Sequence, residues 1–343
     1  MFDFFMVFGC SILGLAAHGA KIKRWLEWLL RVFIGIWFGV ESIFSMTMNS
    51  TGEEPQTPWS AGIIYGMTVV TGLLLSIKFR QVLSKFLTII ENIVSGQIFI
   101  SLIKRRKVEL FANPVFVPTS IPHMVALFIY IQTLAYLLGA TALQDFNSPM
   151  IPLPLPVPID QLFSYNALSL IILSFCGCGI FVSRKFRECL QRLGLVKPTA
   201  AQIGIGILVI FGSFLYDYIW SVAGGTMHQD LSSKLAMYNS GTFSVLGGFM
   251  PSIVLALATA LCAGIGEETL IRGALQPCFG IVPAGFLHGA LHGQFAHAPF
   301  FILQVAGWSC LMGVVRKYTN TTTTIIGHAG YNFVTTFLFA FNP

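Results

Sequence analysis

Residues 248–272 read GFMPSIVLALATALCAGIGEETLIR, an apolar run that ends in Glu267, Glu268 and Arg272. The apolar part can cross a bilayer as a helix, because a transmembrane helix needs about 20 mainly apolar residues. Each ionisable residue at bilayer depth costs roughly 2.5 to 3.5 kcal/mol on insertion scales. Three such groups within two helical turns therefore indicate a functional site in a membrane protein.

The composition of the whole chain indicates the same environment. Of 343 residues, 55% are hydrophobic and 10% are charged, whereas a soluble chain carries about 25% charge. The seven cysteines are odd in number and mostly lie in apolar runs, which excludes a secreted disulfide scaffold. The net charge of +6 comes from short basic clusters between apolar runs, which excludes a nucleic-acid partner. The predicted fold class is all-α, a polytopic membrane helix bundle.

Apolar runs of spanning length predict about ten transmembrane helices. They cover roughly residues 1–18, 25–45, 60–77, 121–141, 165–183, 201–223, 248–272, 277–292, 299–315 and 323–341. Glu91 and Asn92 interrupt residues 86–103, which have basic flanks and predict an amphipathic or re-entrant helix at the membrane interface. The proline-rich residues 149–158 predict a stiff extended loop outside the bilayer.

The chemical motifs predict two domains. Residues 1–160 form an N-terminal membrane extension of about four spans, the interfacial helix and the proline-rich loop, and contain no acid–base motif. Residues 161–343 form a core that contains all such motifs.

Lysine and arginine cluster in alternate loops, after the first, third, fifth and ninth predicted spans, while the opposite loops contain only Lys234. Because basic loops stay on the cytoplasmic side, this pattern predicts a multi-pass integral membrane protein whose basic loops are cytoplasmic. Both termini are then expected to face away from the cytoplasm.

The first motif offers a base and an ion pair. Glu268 and Arg272 are spaced i and i+4 on a helix, so they can pair. Glu267 is rotated from Glu268 by about 100° and can point elsewhere. Two carboxylates beside one arginine permit unequal pKa values, which a general base near neutral pH requires. The alternative interpretation is a structural ion-pair cluster that locks two helices.

Two later helices carry further polar faces. His288 and His292 are i and i+4 in the eighth predicted span, and His328 and Asn332 are i and i+4 in the tenth. The N–H groups of His328 and Asn332 can donate together to one oxygen. The alternatives are a core histidine for His292 and ordinary interhelical hydrogen bonds for His328 and Asn332.

These three motifs together resemble those of the CPBP family. The matching residues are Glu-Glu-x-x-x-Arg at 267–272, a helix with His292, and His-x-x-x-Asn at 328–332. The family includes the type II CAAX prenyl proteases and the bacteriocin-processing or self-immunity (Abi) membrane proteins. The resemblance covers roughly residues 190–343 and implies that residues 161–343 are a CPBP-like catalytic core.

The resemblance also implies a role for each matching residue in an intramembrane endopeptidase that acts near the cytoplasmic face. Glu267 would activate the attacking water together with His292, while Glu268 and Arg272 would orient the first carboxylate. His328 and Asn332 would hold the oxyanion. In one departure, His288 stands where the family usually has a phenylalanine, four residues before His292.

No cofactor is required by these residues, although glutamate and histidine also suit zinc. If a metal binds, the candidate ligands are Glu267, His288, His292 and His328. The expected partners are the lipid bilayer and a membrane-embedded or lipidated peptide or protein substrate.

Two other functions remain open on the sequence. A non-catalytic CPBP-like scaffold or assembly factor would bind other membrane proteins in a complex, and His288 together with the N-terminal extension favours it. A transporter would use the carboxylates for protons or cations. The clustering of the charges at one end of a span argues against a transporter.

Overall fold

The computed structural model describes residues 4–50, 58–98, 100, 114–143, 159–227, 248–292 and 299–341. These residues form helices joined by turns, and no β-strand occurs among them, which confirms the predicted all-α bundle. In chain order the helices are α1 (Phe4–Gly19), α2 (Arg24–Ser50), α3 (Pro58–Leu73), α4 (Ile77–Val94), α5 (Ile121–Leu143), α6 (Ile159–Gly177), α7 (Phe186–Leu193), α8 (Ala200–Met227), α9 (Phe249–Phe279), α10 (Ile281–Leu291), α11 (Pro299–Tyr318) and α12 (Thr321–Phe341).

Four described helices, α5, α6, α8 and α9, are long and apolar enough to cross a membrane. Helices α3 and α4 add a fifth if they are taken as one pair, which is bent by 111°. The predicted count of ten is therefore not reached within the described residues. Helices α1 and α10 are apolar but short, and α2, α11 and α12 are long but more polar.

Two span boundaries differ from the prediction around the site. Helix α9 continues through the charged motif to Phe279 instead of ending near residue 272. The predicted span 277–292 becomes α10, which has 11 residues. Gly280 separates α9 from α10 with a φ of +91°, a backbone conformation that glycine adopts without the steric penalty of a side chain.

The predicted interfacial helix begins earlier than expected. Helix α4 starts at Ile77, and the Ser76 side chain caps it by accepting a hydrogen bond from the Phe79 amide at 3.5 Å. Glu91, which interrupts the apolar run, lies within this helix, and its side chain is only 5% exposed.

The N-terminal helices pack directly on the C-terminal core. Their hydrophobic cluster includes Leu87, Phe116, Met124 and, from α9, Phe279. The rings of Phe116 and Phe279 stack with centroids 6.3 Å apart. The predicted boundary near residue 160 stays a prediction, and the proline-rich loop at 149–158 lies outside the described residues.

Glycines bring the site helices close together. A Cβ added at Gly264 of α9 would lie 2.8 Å from the Cβ of Ala329 on α12. One added at Gly285 of α10 would lie 2.7 Å from the sulfur of Cys310 on α11. Small residues at such crossings allow membrane helices to approach at backbone distance, so side chains flanking these glycines reach across to the neighbouring helix.

Candidate active site

The two glutamates lie where the α-helical part of α9 ends. Phe249–Glu268 is α-helical, and Thr269–Leu275 continues as a π-helix. Such π-segments within α-helices frequently occur at functional sites, since the extra residue per turn changes where side chains point. Here Glu267 keeps 15% of its side-chain exposure and Glu268 keeps none.

Glu268 joins α9 to α12 through a buried charge network. His328 Nδ1 donates to Glu268 Oε1 at 3.0 Å. Arg272 Nε lies 3.4 Å from Glu268 Oε2, which is the expected i, i+4 ion pair. Because all three side chains are at most 5% exposed, each charge depends on its partner for stabilisation.

Glu267 faces a different set of groups. His288 Nε2 donates to Glu267 Oε2 at 2.8 Å. His328 Nε2 lies 3.9 Å from the same oxygen, a separation that one bridging water can span. The adjacent carboxylates thus have distinct partners, and the one that keeps some exposure meets histidines from α10 and α12.

The surroundings of His288 determine which of its nitrogens carries the proton. Arg272 Nη1 lies 3.4 Å from His288 Nδ1, and arginine can only donate hydrogen bonds. His288 Nδ1 therefore accepts, and Nε2 carries the hydrogen that is donated to Glu267. Ser309 Oγ on α11 lies 3.2 Å from the same Nδ1 and completes the surroundings of the ring.

His292 lies just beyond α10, which ends at Leu291. Its Nδ1 donates to the His288 carbonyl at 2.9 Å, and the two imidazole centroids are 5.1 Å apart. One ligand atom each from Glu267, His288 and His292 lies within 4.8 Å of the others. The structure thus brings both histidines of the second motif to the first glutamate, with His288 in direct contact.

Asn332 lies one turn after His328 on α12 and is partly buried. Among the described residues, no hydrogen bond joins its side chain to the glutamates or histidines of the site. The site residues predicted from the sequence thus converge, except that Asn332 makes no hydrogen bond to the cluster among the described residues.

Two site residues on α11, Trp308 and Ser309, were not predicted. The Trp308 ring lies 4.8 Å from the His328 ring and 5.9 Å from the Arg272 guanidinium carbon. Its Nε1 donates to Ser213 Oγ of α8 at 2.8 Å. A single tryptophan or serine in an apolar helix has no sequence pattern that separates it from core packing, so these contacts had no predictive signal.

A second polar contact lies beside the site. Asp217 of α8 accepts hydrogen bonds from Tyr331 Oη of α12 and from Gln304 Nε2 of α11, the latter at 3.0 Å. Tyr331 is three residues after His328. This contact joins α12 to α8 and α11.

The residues fit a metal by type. Two histidines and a glutamate form a known catalytic zinc set, and the candidate ligands here are Glu267, His288 and His292. A metal-bound histidine normally donates its second N–H to an acceptor. His288 Nδ1 lies 3.2 Å from Ser309 Oγ, which can accept, and 3.4 Å from the donor Arg272 Nη1. If a metal binds through His288 Nε2, these three side chains would hold it, and it would lower the pKa of a bound water.

Fold and site together define a class of protein, a polytopic membrane helix bundle with a buried cluster of glutamates and histidines. Residues 249–334 match the family model described as type II CAAX prenyl endopeptidase Rce1-like. No curated protein and no solved structure matches the chain significantly. The chain therefore carries an Rce1-like domain over these residues, which confirms the resemblance to the CPBP family there.

The matched residues include all three motifs. The match implies CAAX-type intramembrane protease activity in general terms, acting on membrane-associated peptides. Together with the apolar helices it identifies an integral membrane protein.

Proposed function

We propose that the protein is an intramembrane endopeptidase that hydrolyses a peptide bond with a water activated by Glu267. The observation that carries this proposal is the convergence of histidines on one partly exposed carboxylate. His288 contacts Glu267 at 2.8 Å and His328 approaches it to 3.9 Å. The Rce1-like match over the same residues supports a peptidase independently of this geometry.

The proposed oxyanion role of His328 requires a hydrogen on each of its two ring nitrogens. Its Nδ1 already donates to Glu268 Oε1 at 3.0 Å. The hydrogen that would reach the substrate is therefore the one on Nε2, which lies 3.9 Å from Glu267 Oε2.

In the proposed reaction Glu267 removes a proton from a water whose oxygen attacks the scissile carbonyl carbon. The negative charge that develops on the carbonyl oxygen is stabilised by N–H groups from His328 and, after a side-chain rotation, Asn332. Glu267 then transfers its proton to the amide nitrogen as the C–N bond breaks, which releases a carboxylic acid and an amine. A positioned base contributes about 10² to 10⁴ in rate, and one oxyanion donor about 2.7 to 4 kcal/mol.

Direct contact gives His288 a larger role than the sequence assigned. We assign it the task of holding Glu267 through Nε2–H, so that the other carboxylate lone pairs face the water. His292 lies next to His288, and its ring donates a hydrogen bond to the His288 carbonyl. Its proposed role is to exchange protons with the water or the leaving amine.

The proposed site lies at the end of α9 that adjoins the basic residues of α7. Arg192 Nη1 of α7 donates to the Gly273 carbonyl at 3.3 Å, and Lys185 and Arg187 at the start of α7 are exposed. If basic segments face the cytoplasm, cleavage takes place near the cytoplasmic surface.

The test is cleavage of lipidated and unlipidated membrane peptides by purified protein in liposomes. Glu267→Gln should lower cleavage at least about 100-fold, since it removes the base, without changing thermal stability by more than a few degrees. Glu41→Gln is the matched control, because Glu41 lies on α2 and its carboxylate accepts a hydrogen bond from Trp37 Nε1 of the same helix at 2.9 Å. Undiminished cleavage by Glu267→Gln would refute the proposal.

A second candidate function is a non-catalytic scaffold. The observation in its favour is that Glu268, Arg272 and His288 are at most 1% exposed and contact one another or their direct neighbours, as in a structural lock between helices. Stable co-purification with a membrane-protein complex that survives substitution of both Glu267 and His292 would support the scaffold.

A further inference from the structure

Glu91 is a buried carboxylate in the N-terminal part of the chain, outside the residues that match the family. It lies on α4 and is 5% exposed. Its Oε2 accepts a hydrogen bond from the Ile281 amide at 2.8 Å, and its Oε1 accepts one from Lys317 Nζ at 2.6 Å. One side chain therefore binds α4 both to the first residue of α10 and to the end of α11.

The first of these contacts falls at the break between the helices that present Glu267 and His288. Gly280 ends α9 and precedes α10, and a Cβ added there would lie 2.9 Å from Glu91 Oε2. The missing side chain lets the carboxylate reach the Ile281 amide. A carboxylate at this point caps the positive end of α10 and satisfies an N–H that has no partner within the helix.

The cap is connected to His288 through the helix itself. His288 lies seven positions after Ile281, so both lie on nearly the same face of α10, about two turns apart. Because α10 has only 11 residues, a shift at its first turn moves the His288 ring relative to Glu267 almost as a rigid body.

The second contact reaches the other neighbour of His288. Lys317 lies in the last turn of α11, the helix that places Ser309 3.2 Å from His288 Nδ1. The next residue, Tyr318, donates from its hydroxyl to the Ser95 carbonyl just after α4. The end of α4 is thus joined to α11 at two successive residues.

We propose that Glu91 is a positioning residue for the active site, setting α10 and α11 so that His288 meets Glu267. This inference rests on the proposed peptidase function. It gives the N-terminal helices a part in the active site and implies that the Rce1-like residues alone do not hold the catalytic geometry.

The first test measures amide hydrogen exchange in the full-length protein in lipid nanodiscs and needs no substrate. Glu91→Ala should accelerate exchange in a peptide covering residues 281–288 by at least about tenfold, because the cap of α10 is lost. Glu91→Gln should restore most of the protection, since its amide oxygen can still accept from Ile281. Thr88→Val is the matched control, because Thr88 is 2% exposed on the same helix and its hydroxyl donates to the Ser84 carbonyl of that helix at 2.7 Å.

The second test measures peptide cleavage. Glu91→Ala should lower kcat roughly 10- to 100-fold, the scale of a small misplacement of reacting groups, with KM within about twofold. In a His288→Ala background the same change should cost less than about twofold, because Glu91 acts through His288. Where that background falls below detection, the recovery of kcat by Glu91→Gln serves as the criterion.

Unchanged exchange at residues 281–288 in Glu91→Ala, or an equal fold-loss of kcat with and without His288, would overturn the proposal. A loss in Thr88→Val as large as in Glu91→Ala would also overturn it, since generic destabilisation would then explain both. If Glu91→Ala changes exchange as expected but the wild-type protein cleaves no peptide, the proposed function is contradicted. Glu91 then remains the residue that fixes α10.

Discussion

Two adjacent residues of the site have opposite environments. Glu268 has no exposure and is surrounded by Arg272 and His328, while Glu267 keeps 15% exposure and meets His288. Only the Glu267 carboxylate is exposed enough to meet a substrate or water. The buried Glu268 carboxylate carries a charge that its partners must neutralise if the helix bundle is to be stable.

Removing Arg272 should therefore destabilise the protein more than removing the whole pair. Arg272→Met removes the guanidinium partner of the buried Glu268 carboxylate and leaves only the His328 contact to stabilise it, which costs up to about 3 to 5 kcal/mol. The double variant Glu268→Gln/Arg272→Met should lose clearly less, because the carboxylate charge is removed together with its partner. Unfolding titrations with SDS in mixed micelles measure the difference, and equal losses in both variants would contradict the proposed dependence of Glu268 on its partner.

His288 is expected to matter at least as much as His292. His288→Ala removes the 2.8 Å hydrogen bond to Glu267 and should lower kcat by about 10² or more. His288→Gln should recover part of the rate, because its amide can donate to the same oxygen. The measurement is kcat for both variants and for His292→Ala, which ranks the contributions of the two histidines. A His292→Ala loss far larger than that of His288→Ala would restore the roles that the family resemblance assigned.

At the scale of helices, the site depends on how closely α9 approaches α12. Glu267 and Glu268 lie about one turn beyond Gly264 on α9, and His328 directly precedes Ala329, the residue that Gly264 contacts. The same crossing that removes space for a side chain brings the glutamates to His328.

Filling this crossing should separate the groups of the site. Gly264→Val should lower activity by about tenfold or more, since a misplacement of about 1 Å can cost up to 10²-fold. Gly204→Val on α8 is the control, because a Cβ at Gly204 meets nothing within 4 Å. Paired measurement of cleavage and thermal stability distinguishes the two. Full activity in Gly264→Val would contradict this prediction, because it would show that α12 can move away from α9 without disrupting the site.

At the scale of the whole molecule, two of the basic turns lie next to each other, the one after α1 and the one before α7. Lys23 and Arg187 are exposed, and the turns that precede them pack together, since a Cβ at Gly19 would lie 3.9 Å from Val182. Met250, at the opposite end of α9 from the glutamates, is 65% exposed.

The positive-inside pattern predicts which end faces the cytoplasm. Cysteines introduced at Lys23 and Arg187 should react with a membrane-impermeant maleimide only from the cytoplasmic side of oriented vesicles. A cysteine at Met250 should react only from the other side. Labelling of positions 187 and 250 from the same side would contradict both the predicted orientation and the transmembrane course of α9.

Membrane class, helical fold and the candidate chemistry followed from local features of the chain. Apolar runs of spanning length allow few structures besides helices, because bilayer lipid cannot satisfy backbone hydrogen bonds. The i, i+4 spacing of Glu268 and Arg272 placed both on one helical face before any tertiary contact was known. The identity and order of the three motifs likewise indicated the family that residues 249–334 match.

Contacts between residues distant in the chain were beyond such reasoning. Helical spacing puts His288 and His292 on one face, but the crossing of α9 and α10 decides that His288 meets Glu267. Glu91 looked like an interruption of an apolar segment, and became a cap only when α4 folded against residues 190 positions later. Spacing along a helix is set by covalent geometry, whereas these contacts depend on how whole helices cross, which is set by packing summed over many side chains.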